Sequence, residues 1–190
     1  RELSVASTVK NDTIFSNRGN VYASDGNLLA TSMYKYTIRM DLVAVRSSVF
    51  EKNINDLSHS LSELLGNSSS YYQKKLRDAR KRKNRYLLIA RNLGYNDYMK
   101  MRQFPIFKLG PYKGGFITEQ KSVRVKPIGK IAARTIGYDD YRGGAGIEGA
   151  FTKYLEGESG WRLKQKIAQG QWKPINDVNE KEPIDGRDVI

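Results

Sequence analysis

Two periodicities divide the chain. From Tyr34 to Leu42 the even positions are Tyr34, Tyr36, Ile38, Met40 and Leu42, and the odd ones are Lys35, Thr37, Arg39 and Asp41. Successive side chains of a strand point to opposite faces, so a period of two predicts a half-buried strand. Upstream, Ser24-Asp25-Gly26-Asn27 stands between two apolar pairs, and Asp-Gly is a hairpin-turn signal. Residues 16–45 read as β structure on these grounds. The period then changes: Ile54, Leu57, Leu61, Leu64 and Leu65 fall on one helical face, and Gly66 supplies a C-terminal stop. After a polar loop, Ser70 and Gln73 predict a capping box for a helix running to about Leu93 and closed by Gly94, with Leu76, Ala79, Tyr86, Ala90 and Leu93 as its packed stripe. A third short helix, from about Asp97 to Gln103, is expected to stop before Pro105.

From Pro111 onward glycine recurs. Phe116–Val125, Lys130–Ile136 and Leu163–Trp172 read as short strands joined by glycine turns, and Ile147, Phe151 and Leu155 at helical spacing predict one short helix over Gly146–Leu155. The order predicts an α+β fold in a single domain over 1–190, with β-rich parts at about 16–52 and 111–190 and a helical insertion at about 53–104. There is no internal repeat.

Composition narrows the chemistry. The 190 residues, 39% hydrophobic and 11% aromatic, suffice for one full core or two small ones. The absence of cysteine excludes disulfides, thiolate catalysis and thiolate zinc sites, and His59 as the sole histidine leaves no basis for a histidine metal site or triad. No cofactor is expected. The sequence opens on Arg1 and holds no apolar run near the ~20 residues of a membrane span, so any anchor is expected upstream of Arg1. The net charge of +13 is concentrated: between Tyr71 and Gln103 eleven Lys or Arg face only Asp78 and Asp97, which is +9 of the total. Such a segment suits an anionic partner, either lipid headgroups or nucleic acid, or else a solvated helix face. A basic nucleic-acid-binding domain is the alternative this charge suggests. No helix-turn-helix, zinc-finger or ribonucleoprotein pattern accompanies it, so nucleic acid is not the expected partner.

Ser32-Met33-Tyr34-Lys35 has the spacing of a serine/lysine nucleophile pair. That chemistry needs both side chains on one face, which a helix provides and a strand does not. Neither Ser-x-Asn nor Lys-Thr-Gly accompanies it, and Lys113-Gly114-Gly115 reads as a turn. Asp139-Asp140 and Glu180 to Glu182 read as solvated carboxylates in polar loops. No catalytic or metal-binding residue is assigned.

Three separated segments, taken together, resemble the N-terminal pedestal, or dimerisation, domain of class B penicillin-binding proteins, and they occur in that family's order. The stretch from Arg18-Gly19-Asn20-Val21-Tyr22 through Asp25-Gly26-Asn27-Leu28-Leu29-Ala30 is similar to the family's "RG-x-IYDR-x-G-x-x-LA", departing at Ala23-Ser24. Arg124-Val125-Lys126-Pro127-Ile128-Gly129 through Ile136-Gly137 is similar to "R-x-YP-x-G-x-x-A-x-x-x-IG", with Lys126 where tyrosine is usual. Gly143 through Gly160, containing Gly146, Glu148, Leu155 and Gly157, is similar to "G-x-x-G-[IL]-E-x-x-[YF]-x-x-x-L-x-G-x-x-G". The resemblance implies a non-catalytic module, with the ending Asp185-Gly186-Arg187-Asp188-Val189-Ile190 leading toward a serine D,D-transpeptidase domain that cross-links peptidoglycan. It implies a position at the periplasmic face of the bacterial inner membrane, with a glycosyltransferase of the division or elongation machinery and its regulators as partners. General likeness leans to the division branch. It further implies that Arg18, Arg124 and Glu148 form a framework, with Arg18 and Glu148 in contact as a bidentate pair.

Overall fold

The computed structural model describes residues 9–141, 143–166, 172–174 and 180–190. In chain order the elements are β1 (Val9–Ile14), β2 (Val21–Tyr22), β3 (Leu28–Met40), α1 (Ser47–Leu65), α2 (Ser69–Lys81), β4 (Leu87–Leu93), α3 (Tyr95–Arg102) and a 3-10 turn (Phe107–Leu109). There follow α4 (Gly110–Gly114), β5 (Phe116–Val125), α5 (Ala133–Ile136), β6 (Tyr138–Asp140), β7 (Gly143–Ala145), α6 (Gly146–Ala150), α7 (Thr152–Leu155), β8 (Gly160–Lys166) and β9 (Trp172–Pro174). The fold is α+β, as the element order predicts. Two compact units divide it: residues 33–123 form one, and residues 1–32 with 124–190 form the other.

In the unit of residues 33–123, β3 alternates as expected from Tyr36 on. Tyr36, Ile38 and Met40 are buried, as is Leu42 beyond the strand, whereas Tyr34 is exposed. β3 pairs antiparallel with β4, Tyr36 opposite Leu93 and Met40 opposite Leu87, and it also pairs with β5. The buried stripe of α1, Phe50, Ile54, Leu57 and Leu61, packs with Tyr72, Leu76 and Ala79 of α2 and with Ile38, Met40 and Phe107 in one core. Gly66 ends α1 at φ 86°, its amide donating to the Ser62 carbonyl, which is the stop its position predicts.

Several elements differ from expectation. The second helix ends at Lys81, and Leu87–Leu93 is a strand. The chain turns through Lys83 at φ 52°, and the Asn84 side chain accepts from the Tyr86 amide. Crowding of Arg80 to Arg85 disfavours continuing the helix, and pairing with β3 buries Ile89, Ala90 and Leu93. Tyr86 is therefore no part of a helical stripe; it is exposed, with its hydroxyl on Glu119 and its ring 4.3 Å from the Arg39 guanidinium. The cap of α2 is Ser68, whose Oγ accepts from the Tyr71 amide, and Ser70 instead hydrogen-bonds Ser68. Gly94 stops no helix; it precedes α3. Helical structure also begins earlier than expected, at Ser47.

In the other unit, β1 pairs with β8 and β8 with β9, all antiparallel, and β6 pairs with β7. A small core of Val21, Ala30, Ile136 and Leu155 is flanked by Leu29, Ile128, Ile147 and Val189. Residues 130–136 are turns and the one-turn helix α5 rather than a strand, because Gly129 and Ala132 take positive φ, 66° and 51°. The helix expected over Gly146–Leu155 is two short ones, broken at Phe151 with φ −104°. Of the strand expected over Leu163–Trp172, residues 163–166 belong to β8 and Trp172 opens β9, while residues 167–171 lie outside the described residues.

Candidate functional site: an arginine-clamped glutamate and a C-terminal clasp

Glu148 lies on α6 with its carboxylate only 2% exposed. Burying a carboxylate is costly unless it is paired and hydrogen-bonded. Two arginines do this, each taking one oxygen. Arg18 Nε donates to Oε2 at 3.0 Å, and Arg124 Nε donates to Oε1 at 2.7 Å. Arg18 Nη2 also donates to the Glu148 carbonyl, and Arg18 Nη1 lies 3.0 Å from an Asp139 carboxylate oxygen. Arg124 Nη1 donates to Ser32 Oγ at 3.1 Å, and Thr152 Oγ1 donates to Asp139. The expected Arg18–Glu148 contact is present, but it is not a bidentate pair: the glutamate is shared, so one carboxylate joins the chain before β2 to the end of β5 and to α6.

Ser32 is thus an acceptor for Arg124. It and Lys35 lie on β3, where residues three apart face opposite ways, so the lysine is not placed to activate it. Asp139, read from sequence as a solvated carboxylate, is a member of the cluster. An Asp-Asp in a polar stretch carries no signal of that. Two arginines and two carboxylates balance in charge, and arginine does not release protons. The arrangement holds segments in place, its carboxylates and the Ser32 hydroxyl all engaged by arginine.

The remaining residues of the three segments make turns and close backbone approaches. Asp25 and Gly26 form the β2–β3 turn; the Asp25 carboxylate accepts from the Asn27 amide and side chain, which lowers its pKa. Pro127 sits in the exposed turn closed by the Gly129 amide on the Lys126 carbonyl, and Lys126 Nζ reaches the Gly137 carbonyl. Gly137, at φ 72°, approaches the junction of β7 and α6 so closely that a Cβ would lie 1.8 Å from the Ala145 carbonyl oxygen. Gly146 abuts Gly137 from the other side. Gly19, Leu155, Gly157 and Gly160 line a second seam, which receives residues 181–189.

That seam is a clasp. The Gly186 amide donates to the Asn17 carbonyl, Arg187 to Tyr154, Val189 to Asn20, and Tyr22 to Val189, all within 2.7–2.9 Å. The Asp185 carboxylate accepts from the Asn17 amide at 2.8 Å and side chain at 3.1 Å, and Asp188 from the Asn20 amide. These bonds from Asn17 hold the Asp185 pKa below its ordinary 3.8. A group whose folded value is depressed contributes stability that is complete above the ordinary value and lost as pH falls through the folded one. Glu158, lowered by its hydrogen bond and ion pair with Lys181, behaves alike. The clasp is therefore expected to loosen below about pH 4, and Asp185→Asn to narrow the difference between urea midpoints measured at about pH 6 and about pH 3.

With this geometry in hand, the comparisons place the chain. Residues 13–190 match the family described as the penicillin-binding protein dimerisation domain, and the chain belongs to that family. Among solved structures, penicillin-binding protein 2X from Streptococcus thermophilus matches at a TM-score of 0.63 and 22% identity, over 94% of this chain and 28% of that one. A second, penicillin-binding protein PBP2 from Helicobacter pylori, solved as a complex with MreC, matches at a TM-score of 0.57 and 16% identity, over 95% of this chain and 35% of that one. At these identities the likeness is one of fold. The chain spans about a third of the solved chains it matches. No curated protein sequence matches it. No helix among the described residues is long and apolar enough to cross a membrane.

Proposed function

We propose that the chain is the non-catalytic pedestal of a class B penicillin-binding protein that takes part in peptidoglycan synthesis, and that over 1–190 it acts as one module positioning a serine D,D-transpeptidase domain. The observation that carries this reading is the family match over residues 13–190 together with what the matched segments build: Arg18, Arg124 and Glu148 in one cluster, and Asp185 to Val189 clasped beside it. A buried charge cluster of this kind fixes orientation more than it adds stability, as positioning a neighbouring domain requires. The structural residues proposed for that role are those of the three segments. The periplasmic face of the membrane is the proposed location, and the basic residues between Tyr71 and Gln103 would face anionic headgroups there. A glycosyltransferase of the division or elongation machinery and its regulators are the proposed partners; the likeness to the fold of PBP2, which is solved with MreC, supports a regulator among them.

The test is labelling by a fluorescent penicillin of the 190-residue chain beside a longer chain that continues past Ile190. Labelling of the longer chain alone supports the pedestal reading. A stoichiometric adduct on the 190-residue chain, lost on Ser32→Ala, overturns it.

A further inference from the structure

The unit of residues 33–123 carries two adjoining cavities that the pedestal role leaves unused. One, of about 350 Å³, is bounded by Ala44, Arg46, Tyr112 and Lys113; the other, of about 340 Å³, by Lys52, Ile106 and Lys108; Val49 and Leu109 belong to both. Together they form a groove between the first turns of α1 and the Phe107–Gly114 segment. Its floor is apolar and open to solvent, with Leu109 42% and Tyr112 72% exposed. Its rim holds four exposed cations, Arg46, Lys52, Lys108 and Lys113, none of whose side chains makes a hydrogen bond or ion pair among the described residues. No acidic side chain lines either cavity. The nearby acids are engaged elsewhere: Asp41 accepts from the Val43 and Ala44 amides, and Glu51 pairs with Arg77.

The floor is also strained. Ile106, β-branched and buried, sits at φ 70°, and a Cβ on Gly114 would lie 2.1 Å from its carbonyl oxygen. Strain of this kind persists only where the surroundings enforce it, and it concentrates at ligand-holding loops.

We propose that this groove docks an acidic segment of a partner protein, two apolar side chains entering the cavities on either side of Val49 and Leu109 while carboxylates meet the four cations. Two discrete cavities select discrete side chains, which a headgroup layer does not supply. A second copy of this chain is disfavoured because each copy carries +13. The inference does not depend on the transpeptidase assignment, since failure of either test leaves the other reading intact.

The probe is a short fluorescein-labelled helical peptide with two leucines one turn apart among glutamates, titrated against the 190-residue chain by anisotropy. Saturable binding is expected, weakened about tenfold or more by Arg46→Glu with Lys113→Glu and by Leu109→Asp. Amide shift changes in the unsubstituted chain are expected at Val49, Leu109 and Tyr112, which reads the site without relying on any variant. The proposal is overturned by no saturable binding, by equal binding of the peptide with serines for leucines, or by shifts centred elsewhere. Shifts at these residues caused by phosphatidylglycerol vesicles instead of the peptide would overturn it in favour of a membrane contact, and sedimentation showing a dimer blocked by Leu109→Asp would overturn it in favour of a second copy.

Discussion

Replacing Glu148 by glutamine is expected to lower the unfolding free energy of the unit formed by residues 1–32 and 124–190 by about 3 to 5 kcal/mol, the cost of breaking a buried ion cluster by removing one member. The carboxylate is 2% exposed and accepts from both Arg18 and Arg124, whose side chains are only 19% and 20% exposed. Glutamine keeps the shape but presents one acceptor and an NH2 group to two guanidinium donors, so at least one arginine is left facing a donor in a place water barely reaches. The measurement is a urea titration followed by tryptophan fluorescence, because both tryptophans, Trp161 and Trp172, belong to this unit. Urea is preferred to guanidinium chloride, whose salt would screen the charges under test. Converting Arg18 and Arg124 to methionine and Glu148 to leucine together should recover part of the loss, since no buried guanidinium or Glu148 carboxylate is then left unpaired, while Asp139, 24% exposed, loses Arg18 but keeps the Thr152 hydroxyl and water. A loss below about 1 kcal/mol for glutamine alone would place the cluster with ordinary surface ion pairs and remove it as a framework.

How much of this is legible without coordinates depends on where the determining contacts lie. β3 is readable because one of its faces is buried and its side chains alternate accordingly, Ile38 and Met40 in, Thr37 and Arg39 toward solvent. β4 is not, because Leu87-Leu88-Ile89-Ala90 satisfies a helical stripe as well as a strand. What decides it is antiparallel pairing with residues about fifty positions earlier. β1 escapes for a different reason: Val-Lys-Asn-Asp-Thr-Ile has no apolar alternation, and the strand is held by pairing with β8 and by an Asp12–Lys164 ion pair across 152 positions. The Arg18–Glu148 contact is readable only through family resemblance. Arg124's place in the framework is readable the same way, but the share taken by Ser32 and Asp139 is not, because no local pattern marks a side chain as turned inward.

Gly186→Ala is expected to detach the C-terminal clasp while leaving the rest of the chain folded. A Cβ at this position would lie 1.7 Å from the Leu155 carbonyl oxygen and 2.8 Å from the Gly19 amide nitrogen, both backbone atoms with no rotamer to yield. Relief requires residues 186–190 to move off the seam, which breaks the backbone bonds of Gly186 to Asn17, Arg187 to Tyr154, and Val189 to Asn20 and Tyr22, and the exposed Asn20–Asp188 bond with them. At about 1 kcal/mol net for each hydrogen bond the loss is about 3 to 4 kcal/mol, and local opening sets that ceiling because the segment can leave without unfolding its neighbours. Amide exchange at Arg187 and Val189 should accelerate by about a hundredfold or more, each 1.4 kcal/mol being tenfold, while the amides of α1 hold their protection. Under the proposed pedestal role the clasp fixes the point from which a following domain departs. The same substitution in a chain extended past Ile190 should therefore loosen that domain's orientation without lowering its capacity to react with penicillin. Unchanged exchange at both amides would mean that the seam tolerates a side chain and that the departure point is set elsewhere.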